Sequence, residues 1–384
     1  MEAVVKEKFL ATFQQPPAIS VRAPGRVNLL GEHVDYNDGW VLPAAIDRAI
    51  WLAARPTDGR TVTIYALDHD EQQQFDLDQL PTGLAKGSWL AYPAGVASVL
   101  TASGYRLTGM EVVFGGDIPI GAGVSSSAAV ETAFILAWET LSGFALSGLE
   151  RARMGQRVEN EYLGLQSGIM DQFASVHGIA DHALLLDCRD LSHSRVKLPA
   201  GATLLIADSG VRRQLVQSEY NRRQEECQEA LAILRNHQPA LSSLRDVTPE
   251  LLTELAHHLP LPVRRRAQHV VGECVRVLNG VTALQAGDIV QFGLLMRQSH
   301  ESLRDLYEVS IPELDALAAA AWQTAGCYGA RLMGAGFGGC ALALVAETAV
   351  TALTHNLTNS FVQEFGRRPD IFTCRLADGA AVIG

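Results

Sequence analysis

No two of the six cysteines (Cys188, Cys227, Cys274, Cys327, Cys340 and Cys374) stand in a CxxC pair. Their scatter shows neither metal-ligand spacing nor a disulfide framework. No uncharged apolar stretch reaches the length needed to span a bilayer, and the N-terminus, charged from Glu2, carries no apolar signal core. These absences predict a cytoplasmic chain with reduced thiols. Positive charge is short as well: 31 Lys and Arg against 42 Asp and Glu leave a formal net charge of −11. A surface of that sign argues against nucleic acid or anionic membrane as a partner. It does not exclude a nucleotide, which arrives with a divalent cation and needs only a local positive site. The basic triplet Arg264, Arg265 and Arg266 reads as a solvated helix face. The pattern GxxxxGK followed by Ser or Thr occurs nowhere, which excludes ordinary P-loop chemistry. HExxH is absent too, and one His among carboxylates makes a poor zinc site.

What is present is a globular composition, 48% hydrophobic and 19% charged over 384 residues. That length implies two domains, or one large domain with additions. Helical patterns fall at 1–14, 147–162, 212–235, 262–279, 289–303 and 313–325, and strand-like runs at 19–23, 50–54, 61–66, 110–114, 184–186 and 203–207. The first strand is expected to end at Pro24 and Gly25. Helices and strands mix without a strict βαβ repeat, so the expected class is α+β. With neither repeats nor a low-complexity linker, the polar stretch at 187–202 is the best candidate for a domain boundary.

Residues 116–129 carry the strongest local chemistry. A strand-like run feeds a glycine turn, and Ser125, Ser126 and Ser127 open an amphipathic helix whose Val130, Phe134, Trp138 and Leu141 share one face, with Gly143 as C-cap. Glycine lets backbone approach an anion, and the first helical N–H groups have no intrahelical partner. Such an end binds phosphate. The serines can equally cap the helix, touch phosphate oxygens or ligate Mg²⁺. Near the C-terminus, residues 334–339 match GxGxxG, but they lead into a strand-like run at 340–345 rather than a helix, against a dinucleotide fingerprint.

Residues 25–39 pack Arg26, Glu32, His33, Asp35, Tyr36 and Asn37 between glycines. Convergent carboxylates and hydrogen-bonding side chains suit a polyol, whose hydroxyls both donate and accept; a polar surface loop has the same composition. Asp171 stands between apolar residues at an expected helix start, where an N-terminal carboxylate is common. Glu159 is either a solvated charge or a metal ligand. Trp89 and Tyr92 are candidates for a nucleobase contact, though aromatics at that spacing are commonly core.

Three segments in this order resemble the galactokinases of the GHMP small-molecule kinase superfamily. Residues 25–39 match GRxNLxGEHxDYNxG, 119–128 match PxGxGLSSSA, and 329–340 match the third, C-terminal glycine motif. The resemblance spans 21–343, and the first segment is the one that narrows the superfamily. It implies a two-domain GHMP kinase fold with the active site in the cleft between the domains. The N-terminal domain (1–190) would carry the signature and the phosphate loop, and the C-terminal domain (191–384) the third motif. The implied reaction moves the γ-phosphoryl of ATP to the C1 hydroxyl of α-D-galactose, giving galactose 1-phosphate and ADP, the first committed step of galactose use by the Leloir pathway.

Carried over residue by residue, the resemblance puts the sugar among Arg26, Glu32, His33, Asp35, Asp171 and Tyr220. Gly121, Ala122, Gly123, Val124, Ser125, Ser126, Ser127, Ala128 and Ala129 would wrap the ATP phosphates. Ser127 and Glu159 would hold Mg²⁺, Asp171 would act as general base, and Arg26 would pair with it and neutralise developing charge. The 334–339 loop would close beside the site. Val124 replaces the usual Leu, a swap expected to be silent, and Ser167 replaces a frequent Cys, which is expected to alter the sugar pocket slightly. ATP and galactose are the implied partners; neither nucleic acid nor membrane is expected, and the sequence leaves the oligomeric state open, with a monomer favoured. The rivals are a kinase for N-acetylgalactosamine or arabinose, and a non-catalytic galactose sensor; the complete set of serines, Glu159 and Asp171 favours catalysis.

Overall fold

The structure, a computed structural model, describes residues 1–84, 87–119, 123–212 and 216–383. Its helices are α1 (Glu2–Phe13), α2 (Ala91–Ala102), α3 (Ser126–Ser142), α4 (Gly148–Arg157), α5 (Met170–His177), α6 (Val216–Arg235), α7 (Pro249–Leu255), α8 (Leu261–Gln285), α9 (Ile289–Ser302), α10 (Pro312–Trp322) and α11 (Val350–Phe365). Its strands are β1 (Ile19–Asn28), β2 (Trp40–Val41), β3 (Pro43–Pro56), β4 (Thr61–Ala66), β5 (Glu71–Asp76), β6 (Met110–Gly116), β7 (His182–Asp187), β8 (His193–Lys197), β9 (Ala202–Asp208), β10 (Cys327–Met333), β11 (Cys340–Ala346), β12 (Asp370–Cys374) and β13 (Ala381–Val382). The class is α+β, as the mixed pattern predicts.

Three sheets organise the chain. A six-stranded sheet runs β13-β1-β3-β6-β4-β5, a four-stranded one β10-β11-β9-β12, and a three-stranded one β2-β7-β8. Alternation along β3 sends Leu52 and Ala54 into the main core and Ala53 to the opposite face, under Val5 and Phe9 of α1. α3 packs on β1 and β3, with Phe134 and Trp138 fully buried. Gly143 closes α3 in the left-handed conformation, φ 73°.

Two expectations need correcting. β1 does not end at Pro24 and Gly25 but continues to Asn28, with a register shift between Pro24 and Arg26. A bulge is where a sheet tolerates proline. Gly25 also brings β1 against the phosphate loop, since an added Cβ would lie 2.7 Å from the Val124 carbonyl oxygen. The second correction concerns Arg266. It is buried, not solvated, and pairs with Glu226 at 2.6 Å and Glu308 at 2.7 Å; a charge so buried requires partners. The helix expected over 147–162 is α4 followed by a π-helical turn at Val158–Tyr162. α2, α7, α11 and β12 lie in stretches for which the sequence patterns predict no element. No helix among the described residues is long and apolar enough to cross a membrane.

Candidate active site

The bulge in β1 determines where Arg26 points. Its backbone N–H donates to the Val124 carbonyl at 3.1 Å and its Nη1 to the Gly123 carbonyl at 2.6 Å. Nε and Nη2 form a fork onto Asp171, at 2.8 Å to Oδ1 and 2.9 Å to Oδ2. Arg26 is 4% exposed and Asp171 27%, so the guanidinium is buried behind a carboxylate that faces the cavity. Ser125 Oγ donates to Asp171 Oδ2. Oδ2 thus takes two donors and Oδ1 one, which leaves Oδ1 with a spare lone pair.

The cavity has a volume of about 660 Å³, and Arg26, Asp171, Glu32, His33, Asp35, Tyr220, Glu159, Gly123 and the three serines all line it. Ser125 sits at φ 59° just before α3, whose first turn leaves N–H groups without an intrahelical partner. Ala128 and Ala129 turn into the core instead. The N–H of Ala129 is also committed to the Ser125 carbonyl, leaving it nothing to offer a phosphate. Val124 is buried and contributes its carbonyl to Arg26. Gly121 and Ala122 lie outside the described residues.

The 334–339 loop joins β10 to β11 and lines the same cavity. It lies against the phosphate loop: a Cβ added at Gly334 would stand 3.1 Å from the Gly123 carbonyl oxygen. Trp89, Tyr92, Phe114, Ile50 and Val130 are among the apolar residues that line the cavity, so Trp89 and Tyr92 reach it as well as the core.

On the acidic side, Glu32 accepts from Gly334 N at 2.7 Å, Asn28 Nδ2 at 2.9 Å and Arg331 Nη2 at 2.7 Å. His33 has φ 61°; its Nε2 reaches the Ala335 carbonyl at 3.2 Å and its Nδ1 the Tyr36 hydroxyl at 2.7 Å. Burial, with His269, Arg223 and Arg331 nearby, pushes the His33 pKa down to about 3. The ring is therefore neutral, and because a carbonyl only accepts, Nε2 carries the proton. Asp35 is pushed the other way, up to about 7, by burial and the charges of Asp171 and Glu32.

Glu159 lies on the π-helical turn and is buried. Ser127 Oγ is 3.3 Å from its Oε1, and Ser167 Oγ donates to its Oε2. Burial and the Asp171 charge raise its pKa, and among the described residues no cationic side chain forms an ion pair with it. The hydroxyl of Ser167, where the family pattern often has Cys, thus acts on Glu159. Among the polar residues of this cluster the sequence patterns leave out Arg331 and Asn28, among the apolar ones Ile50 and Phe114, and they do not foresee the Ser125–Asp171 contact. Arg331 was detectable as a charge inside an otherwise apolar strand.

The chain matches three family models: "Galactokinase galactose-binding signature" over 7–56, "GHMP kinases N terminal domain" over 91–179, and "GHMP kinases C terminal" over 281–363. It is 45% identical to the galactokinase of Roseiflexus sp. (strain RS-1), covering 99% of this chain and 96% of that one. With the galactokinase of Chloroflexus aggregans it shares 42% identity over 97% of this chain and 95% of the other. The crystal structure of Lactococcus lactis galactokinase complexed with galactose superposes with a TM-score of 0.95 at 34% identity, over 99% of both chains. A mevalonate kinase structure matches at TM-score 0.66 and 20% identity, over 94% of this chain and 100% of that one, a likeness of fold.

Proposed function

The chain belongs to the galactokinase family, and from that premise we propose how its residues divide the transfer of the γ-phosphoryl of ATP to the anomeric hydroxyl of α-D-galactose. The observation that carries the reading is the Asp171–Arg26 fork, standing between the serine-rich start of α3 and the acidic loop at 32–35.

The sugar lies against Glu32, His33, Asp35 and Tyr220, with its C1 hydroxyl on Asp171. Glu32 already accepts three protein hydrogen bonds and so has about one acceptor site left for a sugar hydroxyl. Asp171 Oδ1 takes the C1 proton as the oxygen attacks phosphorus. Arg26 holds that carboxylate in one orientation and faces the charge developing on the phosphoryl oxygens. The loop from Gly121 through Ser127 wraps the triphosphate, its helix-start N–H groups supplying the fixed positive field that a lysine supplies in P-loop enzymes. The adenine takes the apolar lining at Trp89, Tyr92 and Phe114.

ATP use in this family implies a divalent cation, which we assign as Mg²⁺ held by Ser127 and Glu159. The donor set fits: two hard oxygen ligands, one of them a buried carboxylate with no ion pair among the described residues, leave the other positions to phosphate and water. Bound there, the cation neutralises charge on the phosphate oxygens. We divide the chain near residue 190, with the cleft between α3 and the β10–β11 hairpin; β13 returns to pair with β1. Dependence on ATP is the ground for assigning the reaction to the cytoplasm.

ADP release measured with Mg²⁺ across galactose, N-acetylgalactosamine, arabinose and glucose tests this reading. Galactose is expected to give the highest kcat/KM, with phosphate on C1 by ³¹P NMR. A higher kcat/KM for another sugar, or galactose binding without turnover, contradicts it.

A further inference from the structure

Behind Ser127 and Glu159 lies a carboxyl that the reaction as described does not use. Glu131, one turn further along α3, is fully buried, as is Gln172, which follows Asp171 in α5. Gln172 Nε2 donates to Glu131 Oε2 at 3.0 Å. Two buried oxygens here have no hydrogen-bond partner, Glu131 Oε1 and Gln172 Oε1. They belong to the two side chains that share this bond. The α4 backbone covers the pair: an added Cβ at Gly155 would lie 2.7 Å from Gln172 Cγ and 3.4 Å from Glu131 Oε2.

Were Glu131 ionised, this buried site would hold a full charge and two acceptors unpaired within the protein, an arrangement that native interiors avoid. One proton resolves both. With hydrogen on Oε1, the acid donates to Gln172 Oε1 while the amide N–H donates to Oε2, and two planar groups close a two-bond ring. Burial is the first cause that raises the Glu131 carboxyl well above the usual range, followed by the charges of Glu159 on the π-helical turn and Asp171 on α5; a cation on Glu159 offsets that charge, so burial and the two unpaired oxygens carry the proton. Tyr92 of α2, which also faces it, is likewise held uncharged by burial.

We propose that Glu131 is a protonated acid, doubly hydrogen-bonded to Gln172, which positions Asp171 and Glu159 and does not ligate the cation. The ring ties the first turns of α3 to the first turn of α5, so the phosphate loop and Asp171 hold one relative placement. The missing charge also spares the triphosphate a third nearby carboxylate. The positioning part rests on the roles given above to Asp171 and Glu159; the protonation does not.

Infrared spectroscopy of the whole enzyme with Mg²⁺ and ATP, at about pH 9 where ordinary carboxyls are ionised, tests the proton directly. The wild type is expected to show the carbonyl band of a protonated carboxyl, lost in Glu131→Gln and shifted in Gln172→Leu, so the assignment does not depend on one variant. Absence of that band from the wild type overturns the proposal. In turnover, Glu131→Leu is expected to lower kcat by about tenfold or more through misplacement of Asp171. Glu131→Gln, whose amide completes the same ring, is expected to restore it to within about twofold with an unchanged half-saturating Mg²⁺ concentration. A rise of about tenfold in that concentration for Glu131→Gln is the behaviour of a lost ligand and also overturns it. An error in the role of Asp171 leaves the band in place, so the two failures are distinguishable.

Discussion

Asp35 is half-buried beside Asp171 and Glu32, and desolvation together with those two like charges pushes its pKa from the ordinary 3.8 up to about 7. A folded-state pKa above the unfolded one stabilises the fold fully below about pH 4, and that contribution is lost as pH rises through about 7. A sugar hydroxyl that donates to the ionised carboxylate lowers the same pKa. Galactose binding near pH 7 is therefore expected to release protons, and Asp35→Asn to abolish the release. Calorimetry in two buffers of different ionisation enthalpy reads this; equal release in wild type and variant contradicts it. At this scale much of the site was legible, because Glu32, His33 and Asp35 crowd one short glycine-bounded stretch. Arg331 illustrates what was not. Its partner Glu32 is 299 residues away in sequence, and nothing local announces a pairing that only the folded chain creates.

At the scale of elements, the start of α3 and the β10–β11 hairpin meet through glycine. Gly334 has φ 82° and lies where a Cβ would press on the Gly123 carbonyl at 3.1 Å. Left-handed backbone costs a residue with a side chain about 1–2 kcal/mol, and the phosphate loop must also shift. Gly334→Ala is expected to raise the KM for ATP and lower kcat/KM by about tenfold, with circular dichroism unchanged; unaltered kinetics would refute that contact as an organiser of the loop. α3 was readable because Val130, Phe134 and Trp138 recur at helical spacing. The continuation of β1 through Pro24 and Gly25 was not, since a bulge against Val124 overrides the local stop signal. α2 evades periodicity for another reason: Pro93, Gly95 and the buried alanines around them leave no polar face to set a period.

Across the whole molecule, the carboxylate of Glu32 joins the two halves through Arg331 and the Gly334 N–H, and its backbone carbonyl accepts from His269 at 3.0 Å. Arg331 is 0% exposed and the Glu32 side chain 3%. Arg331→Met leaves that carboxylate buried without its cation, a loss of about 3–5 kcal/mol, to be read from denaturant midpoints; a change under about 1 kcal/mol would mean that the halves are held elsewhere. The α+β class followed from composition and pattern. Sheet order did not, because β13 pairs with β1, Val382 opposite Val21, across almost the full length of the chain.

The central claim is that Asp171, held by Arg26, takes the sugar proton, and kcat of Asp171→Asn tests it most directly when measured beside ATP and galactose binding. The amide keeps the shape of the side chain and cannot take a proton, so kcat is expected to fall by about 10²-fold or more while binding and the fold persist. Turnover within a few-fold of wild type would contradict the assignment and leave positioning and electrostatics to carry the catalysis.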